Sequence, residues 1–366
     1  MISIKSWALL LALAVLLTGL PLLGVAAAGK DPLDYLQFPP VTAYVAHAPF
    51  SWIVFCMVAL VAVASVVPFT YCLSRSTGAT PMLPARLRLP WWGWLGGVIV
   101  VLAWWLAWTR FAWFAPLQAF TFSPIWLGYI LLVNALAYAR TGHCLLRDRP
   151  GYFLALFPFS AAFWWSFEYL NRFVQNWYYV GSAEFTPWEY FWYATLPFAT
   201  VLPAVLSTRE LLASLPWLSH GLQNAWRISL PHPKLTATLM LALAGGVLMG
   251  IGVWPEFLFP ALWLAPLLLI IALQVIIGEI TIFAPVSRGD WTQLWQAAVA
   301  ALVCGFFWEL WNYKSLVHWQ YSVPFVQRFQ LFHMPLLGYA GYLPFGLECL
   351  ALAGLLDRAW NQGEKS

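Results

Sequence analysis

The chain has 366 residues, of which 62% are hydrophobic and 18% aromatic, whereas only 9% are charged, against about 25% in an ordinary soluble domain. So few charged side chains cannot cover a water-exposed body of this size, and the composition therefore excludes a soluble globular protein. The net charge of +4 is scattered over segment ends without a basic run, so lipid is the expected partner and nucleic acid is not. The sequence predicts an all-α, polytopic integral membrane bundle.

About ten apolar windows, each long enough for a membrane-crossing helix of about 20 residues, follow one another along the chain. The first window also fits a signal peptide, because Lys5 precedes it and Ala26, Ala27 and Ala28 follow it. An uncleaved helix is the expectation, and cleavage is the alternative. The windows cover residues 7–28, 50–73, 91–114, 124–140, 151–172, 187–207, 235–254, 257–278, 293–313 and 335–357.

Lysine and arginine are concentrated in alternate loops, which predicts the orientation of the chain by the positive-inside rule. Both termini are expected in the cytoplasm, and the plasma membrane (in bacteria, the inner membrane) is the expected location. The connections 29–49 and 314–334, rich in proline and aromatic residues, then lie outside as ordered caps. The basic loops contain Arg75, Arg86 and Arg88, then Arg140, Arg147 and Arg149, then Arg209, Arg227 and Lys234.

Short motifs recur in the same order in the two halves of the chain, which indicates a tandem duplication. The recurring motifs contain not only apolar residues but also Glu, Asn, Trp and Pro. Chance similarity between two membrane helices does not easily explain this recurrence. The distance in sequence between matching motifs increases slowly along the chain, as expected from small insertions in the loops. Trp126-Leu127 recurs as Trp263-Leu264 at an offset of 137, Phe167-Glu168-x-x-Asn171 as Trp308-Glu309-x-x-Asn312 at 141, and Leu196-Pro197-Phe198 as Leu343-Pro344-Phe345 at 147.

The duplication defines the predicted organisation of the chain. An even number of helices in each unit gives the two units the same orientation, and parallel repeats of this kind commonly bind their substrate between the halves. The predicted parts are two N-terminal helices with an outer connection (1–90), four-helix unit A (91–207), a cytoplasmic linker (208–234), four-helix unit B (235–357) and a cytoplasmic tail (358–366).

Glu168 and Glu309 are the leading catalytic candidates, because an ionisable residue inside an apolar span is costly and marks a functional site by default. Asn171 and Asn312 lie three residues further on, on the same helical face, where they are expected to bond to the carboxyl group or to a ligand. A buried carboxyl suits an acid/base role. The alternative is that each Glu-Asn pair only joins helices by hydrogen bonds.

Further residues are candidates for binding a substrate. Aromatic side chains near the two Glu residues suit a flat, polyunsaturated or cationic species, although interfacial anchoring is an alternative. Cations at the outer mouth suit an anionic group, with snorkelling as the alternative. Arg110 is a further cation that is expected to pair with one of the carboxyls. The candidates are Trp164, Trp308, Trp177, Trp319, Tyr321, Arg172, Lys314, His318, His333 and Glu348.

The sequence predicts neither a metal nor a cofactor. The five cysteines have no Cys-x-x-Cys spacing. His318, His333 and His47 offer three imidazoles on one face, but without ligand spacing such as His-x-x-x-His. Nucleotide-binding, hydrolase and zinc-protease motifs are absent from the sequence.

Three classes of function remain open. The leading hypothesis is a membrane enzyme that uses acid/base chemistry on a lipidic or isoprenoid substrate between the two units. The alternatives are a proton- or cation-coupled carrier or channel for a small solute, and a non-catalytic subunit of a membrane complex. The Trp308-Glu309 pair in an aromatic-rich bundle resembles integral-membrane terpenoid cyclases, in which a carboxylic acid protonates an alkene or epoxide, and this resemblance rests on two residues.

Overall fold

The fold is known from a computed structural model, which describes residues 4–38, 40, 43–75 and 88–363, with side chains from residue 7 to residue 360 within these ranges. Arg86 of the first basic loop and the end of the predicted tail (364–366) lie outside the described residues. Helices make up most of the described chain, and the remaining regular structure is two ribbons of two short strands each.

The helices and strands are numbered in chain order. The helices are α1 (Ile4–Ala27), α2 (Trp52–Ser74), α3 (Trp91–Trp108), α4 (Phe122–Thr141), α5 (Leu145–Asp148), α6 (Pro150–Val174), α7 (Pro187–Phe198), α8 (Val201–Ala213), α9 (Pro233–Ile251), α10 (Pro255–Leu258), α11 (Ala261–Ile276), α12 (Thr292–Asn312) and α13 (Tyr342–Gly363). The strands are β1 (Trp177–Val180), β2 (His318–Tyr321), β3 (Gln330–Leu331) and β4 (Met334–Pro335). Among the 3₁₀ turns, Leu336–Gly341 leads into α13.

Eight helical segments in the described part of the chain are long and apolar enough to cross a membrane. They are α1, α2, α3, α4, α7 with α8, α9, α12, and α13 with its preceding turn, so the chain is a multi-pass helical membrane protein. The other two predicted windows contain α6, a 25-residue helix with Glu168, Asn171 and Arg172, and α11, which has 16 residues.

Three predicted boundaries fall inside helices. The linker predicted at 208–234 begins within α8, which continues to Ala213, and ends within α9, which begins at Pro233. The tail predicted from residue 358 begins within α13, which continues to Gly363. Hydropathy placed the ends of α8 and α13 too early, because charged residues such as Arg209 and Arg358 lie just beyond the apolar windows.

The helices of the two predicted units have corresponding neighbours. The pair α3 and α4 packs together, as does the pair α9 and α11; α4 packs on α8, as α11 packs on α13. Helix α6 packs on α7 and α8, as α12 packs on α13. Interhelical hydrogen bonds join α4 to α8, since Asn134 donates to Ser207 Oγ at 2.8 Å and the Tyr129 hydroxyl lies 2.8 Å from Thr208 Oγ1.

Helix α1 packs against the second unit and buries Leu9, Leu13 and Leu17 there. Its closest approach is at Gly24, where an added Cβ would overlap the carbonyl of Met249 on α9. Glycine is therefore required at this crossing, because the two backbones leave no room for a side chain.

Strands β1 and β2 pair antiparallel across the bundle and form what we call the ribbon. The ribbon marks one side of the bundle, since β1 follows α6 and β2 follows α12. Tyr35, shortly after α1, stacks on Phe173 near the ribbon with ring centroids 4.7 Å apart. Asp357, near the end of α13, pairs with Arg149 at the start of α6, so α1 begins and α13 ends on the side opposite the ribbon.

Candidate functional site

Glu168, on α6, is 1% exposed, and one of its carboxylate oxygens accepts three hydrogen bonds. The donors to Oε1 are Trp164 Nε1 at 3.1 Å, Trp177 Nε1 at 3.1 Å and the Tyr179 hydroxyl at 2.6 Å. Trp164 lies one turn earlier on the same helix. Trp177 and Tyr179 are two residues apart on β1, so both project from the same face of the strand.

Glu309, on α12, has a corresponding environment and is fully buried. Its Oε1 accepts hydrogen bonds from the Tyr321 hydroxyl at 2.6 Å, the Tyr342 hydroxyl at 2.9 Å and Trp319 Nε1 at 3.4 Å. Trp319 and Tyr321 repeat on β2 the Trp-x-Tyr pattern of β1. Each carboxyl is thus held by the indole and the phenol of its own strand.

The third donor differs between the two carboxyls. Trp164, four residues before Glu168, supplies it on α6, whereas the residue four before Glu309 is Gly305. A Cβ at Gly305 would overlap the ring of Tyr342. The missing side chain therefore leaves room for Tyr342 of α13 to reach Glu309.

Asn171 and Asn312 bond to the main chain of the ribbon and not to the carboxyls. Asn171 donates to Trp177 O at 2.8 Å and accepts from Asn176 N at 2.8 Å. Asn312 donates to Trp319 O at 2.8 Å and accepts from Trp319 N at 2.9 Å. Each Asn fixes a strand to the end of its own helix, and so positions the strand's Trp and Tyr over the Glu.

The register of the ribbon has local twofold symmetry. Trp177 pairs with Tyr321, and Tyr179 pairs with Trp319. Because the paired residues have their side chains on the same face, all four aromatic donors converge on the two carboxyls. On the ribbon's other face, the Tyr178 hydroxyl donates to Gln320 Oε1 at 2.7 Å.

The aromatic donors line a cavity between the two units, which we call the chamber. Its volume is about 80 Å³, well below the 300–1,000 Å³ of a usual ligand pocket. Glu168, Glu309, Asn171 and Asn312 are not among its lining residues; the carboxyls lie one layer behind the aromatic side chains. The lining includes Trp164, Trp177, Tyr179, Trp263, Trp308, His318, Trp319, Tyr321 and Tyr342.

The two carboxyls are buried, and neither forms a salt bridge with a described residue. In the described ranges, no Lys or Arg nitrogen lies within 4.0 Å of Glu168 or Glu309. The second oxygen of each carboxyl is buried without a hydrogen-bond partner. Since an unpaired charge in such surroundings costs several kcal/mol, the arrangement suits carboxyls that exchange a proton.

The tyrosines of the ribbon remain hydrogen-bond donors over the physiological pH range. Burial, together with the nearby Glu168 carboxyl, raises the pKa of Tyr179. Burial and Glu309 likewise raise the pKa of Tyr321. Each of these tyrosines borders the chamber, and its hydroxyl lies 2.6 Å from a carboxylate oxygen, so one residue connects the chamber to each carboxyl.

The predicted cations make contacts away from the carboxyls. Arg172 donates to Tyr35 O at 2.8 Å, and the Lys314 ammonium lies 5.3 Å from the ring centroid of Trp108. Arg110 donates to the carbonyls of Lys314 and Ala107, each at 2.8 Å, and so does not form the expected pair with a Glu. These contacts hold the loops on the ribbon side together.

The histidines separate into two groups. The rings of His318 and His333 stack with centroids 5.2 Å apart, and burial lowers the pKa of His333. His47 instead lies 2.6 Å from Glu256 Oε1, so the three imidazoles do not converge as the sequence suggested. Within the part of the chain that the structure describes, no three His, Cys, Asp or Glu side chains are grouped to hold a metal ion.

Glu348, on α13, is fully buried, and neither of its carboxylate oxygens has a hydrogen-bond partner. The Asn134 amide of α4 donates to Ile130 O and Ser207 Oγ and not to Glu348. Glu348 does not border the chamber. It is six residues after Tyr342, which places it about 9 Å further along the helix.

Tyr179 and Tyr342 were missed by the sequence reasoning, although both donate to a candidate carboxyl. A signal for Tyr179 was present: the pattern Glu-x-x-Asn is followed by Trp-x-Tyr after five residues in the first copy and after six in the second. For Tyr342, the only signal was the glycine at position 305. Its role becomes clear only once α13 is known to pack on α12.

Comparison with protein-family models, with curated proteins and with solved structures found no match to this chain. The geometry of the site therefore carries the functional argument. Its essential features are two buried carboxyls, two aromatic pairs on one ribbon, and the chamber between them.

Proposed function

We propose that the protein is a membrane-embedded enzyme that acts by acid/base chemistry on a lipidic or isoprenoid substrate between its two units. One observation carries the proposal: each of two buried carboxyls is joined by a short hydrogen bond to a tyrosine that borders the same chamber. Glu168 and Glu309 are the proposed proton-exchanging groups, and Tyr179 and Tyr321 connect them to the chamber.

The chemistry follows from having two such groups. The tyrosine beside one carboxyl gives its hydroxyl proton to a substrate carbon and takes the proton of that carboxyl in turn. The π electrons of a double bond form the new C–H bond, and the neighbouring carbon is left with a positive charge. The other carboxyl removes a proton from a neighbouring carbon and so restores a double bond. The net reaction is an isomerisation or a ring closure, which needs no oxidant, reductant or other reactant.

The lining of the chamber suits such a reaction. Indole and phenol rings surround the space, including Trp164, Trp263 and Trp308. Ring faces stabilise a nearby cation by about 0.5–2 kcal/mol each, more when water is absent. A transient positive charge on a hydrocarbon is therefore favoured here, whereas a hydrated polar solute would lose its hydrogen bonds.

The finer architecture belongs to the same proposal. We propose ten membrane helices, with α6 and α11 added to the eight apolar segments, and a tandem parallel duplication of units A and B. The corresponding helix neighbours and the twofold register of the ribbon support the duplication. A plasma membrane location is part of the proposal, and the distribution of basic residues supports an orientation with both termini in the cytoplasm and the ribbon outside.

A proton-coupled carrier is the second candidate, and Glu348 favours it. A third buried carboxyl without partners, about 9 Å along α13 from Tyr342, would fit a path for protons away from the chamber. A carrier would move protons across a sealed membrane, and an enzyme of the proposed kind would not.

Deuterium incorporation tests the proposal. The full-length protein in nanodiscs is incubated in D₂O with the extracted lipids of its host, and lipids that gain one carbon-bound deuterium are sought by mass spectrometry. We expect incorporation with the wild type, and its loss with Glu168→Gln and Glu309→Gln, which keep the shape of the side chain but cannot titrate. Glu184→Gln, on the surface, is the control and should retain the activity.

Two results would contradict the enzyme. If the folded Gln variants give the wild-type lipid pattern, the carboxyls serve only to join the helices. If proteoliposomes with a pH-sensitive dye inside show proton uptake that Glu348→Gln abolishes, while no lipid gains deuterium, the carrier replaces the enzyme.

A further inference from the structure

A second and larger cavity lies between α2 and the rest of the bundle, and we call it the slot. Its volume is about 640 Å³, within the range of ligand-binding pockets. One side is formed by α2, from Met57 to Phe69, and the other by α11, α12, α13 and the turn Leu336–Gly341. Almost all of its lining is apolar.

Helix α2 packs on the turn Leu336–Gly341 and contacts the bundle near both of its ends. On the ribbon side, Ser51 N donates to Phe325 O at 2.9 Å, and Phe55 packs on Phe329. On the opposite side, Phe69 stacks on Trp295 with ring centroids 5.1 Å apart. Between these contacts α2 stands away from α12, and the gap is not filled by side chains.

The slot and the chamber share part of their lining. Trp177, Trp263, Tyr321 and Tyr342 border both cavities. Tyr321 and Tyr342 are also donors to Glu309. A molecule in the slot would therefore lie against the residues that hold the proposed proton-exchanging group.

Residues with polar side chains border the slot at both of its ends. At the ribbon end lie Tyr321, Tyr342, Trp177 and Asn176, and the side-chain oxygen of Asn176 is buried without a hydrogen-bond partner. The opposite end is formed by rings such as Phe69 and Trp295, of which the Trp295 indole N–H also lacks a partner, while the Ser65 hydroxyl donates to Ala62 O in its own helix. The unpartnered acceptor in the lining is thus at the ribbon end, which fits an amphiphile whose polar end lies there and donates to it.

The slot is long and apolar. From Met57 to Phe69, α2 rises about 18 Å, and the volume of about 640 Å³ extends along this length. The slot thus has the length and the lining of a site for a hydrocarbon chain.

We infer that the slot binds the hydrocarbon chain of an amphiphile from the membrane, with a hydroxyl or similar polar group at the ribbon beside Asn176. A hydroxyl both donates and accepts, so it satisfies the Asn amide in either orientation. The inference rests on the proposed function for what the chamber does to the bound molecule. The small chamber then receives only the reacting part, and the slot holds the rest.

Photolabelling of the full-length protein in nanodiscs tests the inference. The probe is a long-chain primary alcohol with a diazirine in its chain, and labelled peptides are identified by mass spectrometry. We expect saturable labelling of the α2 segment 57–69 and of residues 334–347, competed by hexadecanol. The competition should be weaker with hexadecane, which lacks the hydroxyl, and Asn176→Leu should remove that difference.

Two neighbouring residues of α2 give a matched pair of variants. Ala62 lines the slot, whereas Val63 is 57% exposed on the lipid side. Ala62→Trp should lower the saturable labelling roughly tenfold, the effect of losing about two buried methylene contacts, and Val63→Trp should leave it unchanged. Ala62→Phe gives the same test with a smaller ring if Ala62→Trp does not accumulate.

Labelling that does not saturate, or that Ala62→Trp and Ala62→Phe leave at the wild-type level, would overturn the inference. The assay is independent of turnover, and Glu309→Gln should retain the labelling. Saturable labelling without deuterium incorporation would therefore reject the proposed enzyme and keep the lipid site. Deuterium incorporation without saturable labelling would support the proposed enzyme and reject the lipid site in the slot.

Discussion

Gly305 of α12 lies directly against the ring of Tyr342 of α13, so that a Cβ at Gly305 would overlap the ring. This contact brings the Tyr342 hydroxyl to 2.9 Å from Glu309 Oε1. A position without a side chain on one helix therefore determines the hydrogen bonding of a carboxyl one turn away.

Gly305→Ala should displace Tyr342 and remove its hydrogen bond to Glu309. We expect a loss of about 1–3 kcal/mol in unfolding free energy, the usual cost of adding a methyl group to a packed core, measured by denaturation in detergent. Gly97→Ala on α3 is the control, since nothing lies within 4 Å of a Cβ there. Equal stability of the two variants would show that Tyr342 moves without cost.

Asn171 and Asn312 should stabilise the protein by holding the strands of the ribbon in place. Asn312→Ala leaves the N–H and the carbonyl of Trp319 without their side-chain partner, which should cost about 1–3 kcal/mol of stability and speed hydrogen exchange in both β2 and β1. Gln223→Ala, at an exposed position, should change stability by less than about 0.5 kcal/mol. Unchanged exchange in β1 would mean that the strands are held independently.

The crossing of α1 and α9 should tolerate no side chain at Gly24. Gly24→Ala places a methyl group on the carbonyl of Met249, so α1 should separate from α9, with a loss of about 1–3 kcal/mol or more. Gly19→Ala in the same helix meets nothing within 4 Å and should be harmless. If both variants behave like the wild type and intact-mass measurement finds no residues 1–27, the signal-peptide alternative is correct.

The contact between Glu256 and the loop before α2 should make stability depend on pH. Burial of Glu256 favours its neutral form, but hydrogen bonds from Ala48 N–H and His47 outweigh burial and lower its pKa below 4.5. A lowered folded-state pKa stabilises the fold above the unfolded value, and this stabilisation is lost as pH falls through the folded-state pKa.

The thermal midpoint of the wild type should therefore decrease on going from about pH 6 to about pH 4, and Glu256→Gln should decrease less. Glu184→Gln, at an exposed position of the loop after β1, is the control and should follow the wild type. An equal decrease in the wild type and Glu256→Gln would assign the effect to other groups.

Composition and hydropathy were sufficient to predict a multi-pass helical membrane protein, because an apolar stretch of about 20 residues has few other stable states in a membrane. The recurrence of Glu-x-x-Asn also pointed to Glu168 and Glu309. The role of the asparagines could not be predicted, because Asn312 bonds to a strand seven residues away that is not evident from a four-residue sequence.

The ribbon could not be predicted for a related reason. Its strands lie more than 130 residues apart in the sequence, and their Trp and Tyr residues look the same as membrane-interface anchors. Pairing between such short strands depends on the helices that position them, so local patterns do not reveal it. The slot could not be predicted either, since it is a gap between α2 and the rest of the bundle and depends on how these helices pack.

The ribbon also suggests how two separate copies of one unit could associate. A single unit that ended in one Trp-x-Tyr strand would expose a row of unpaired backbone N–H and carbonyl groups, which pair readily with another strand. Because the register is symmetric, with Trp177 opposite Tyr321 and Tyr179 opposite Trp319, the strand of an identical copy would fit equally well. On the proposed duplication, a homodimer of one unit would therefore already contain both carboxyls, and gene fusion would only have joined the two subunits.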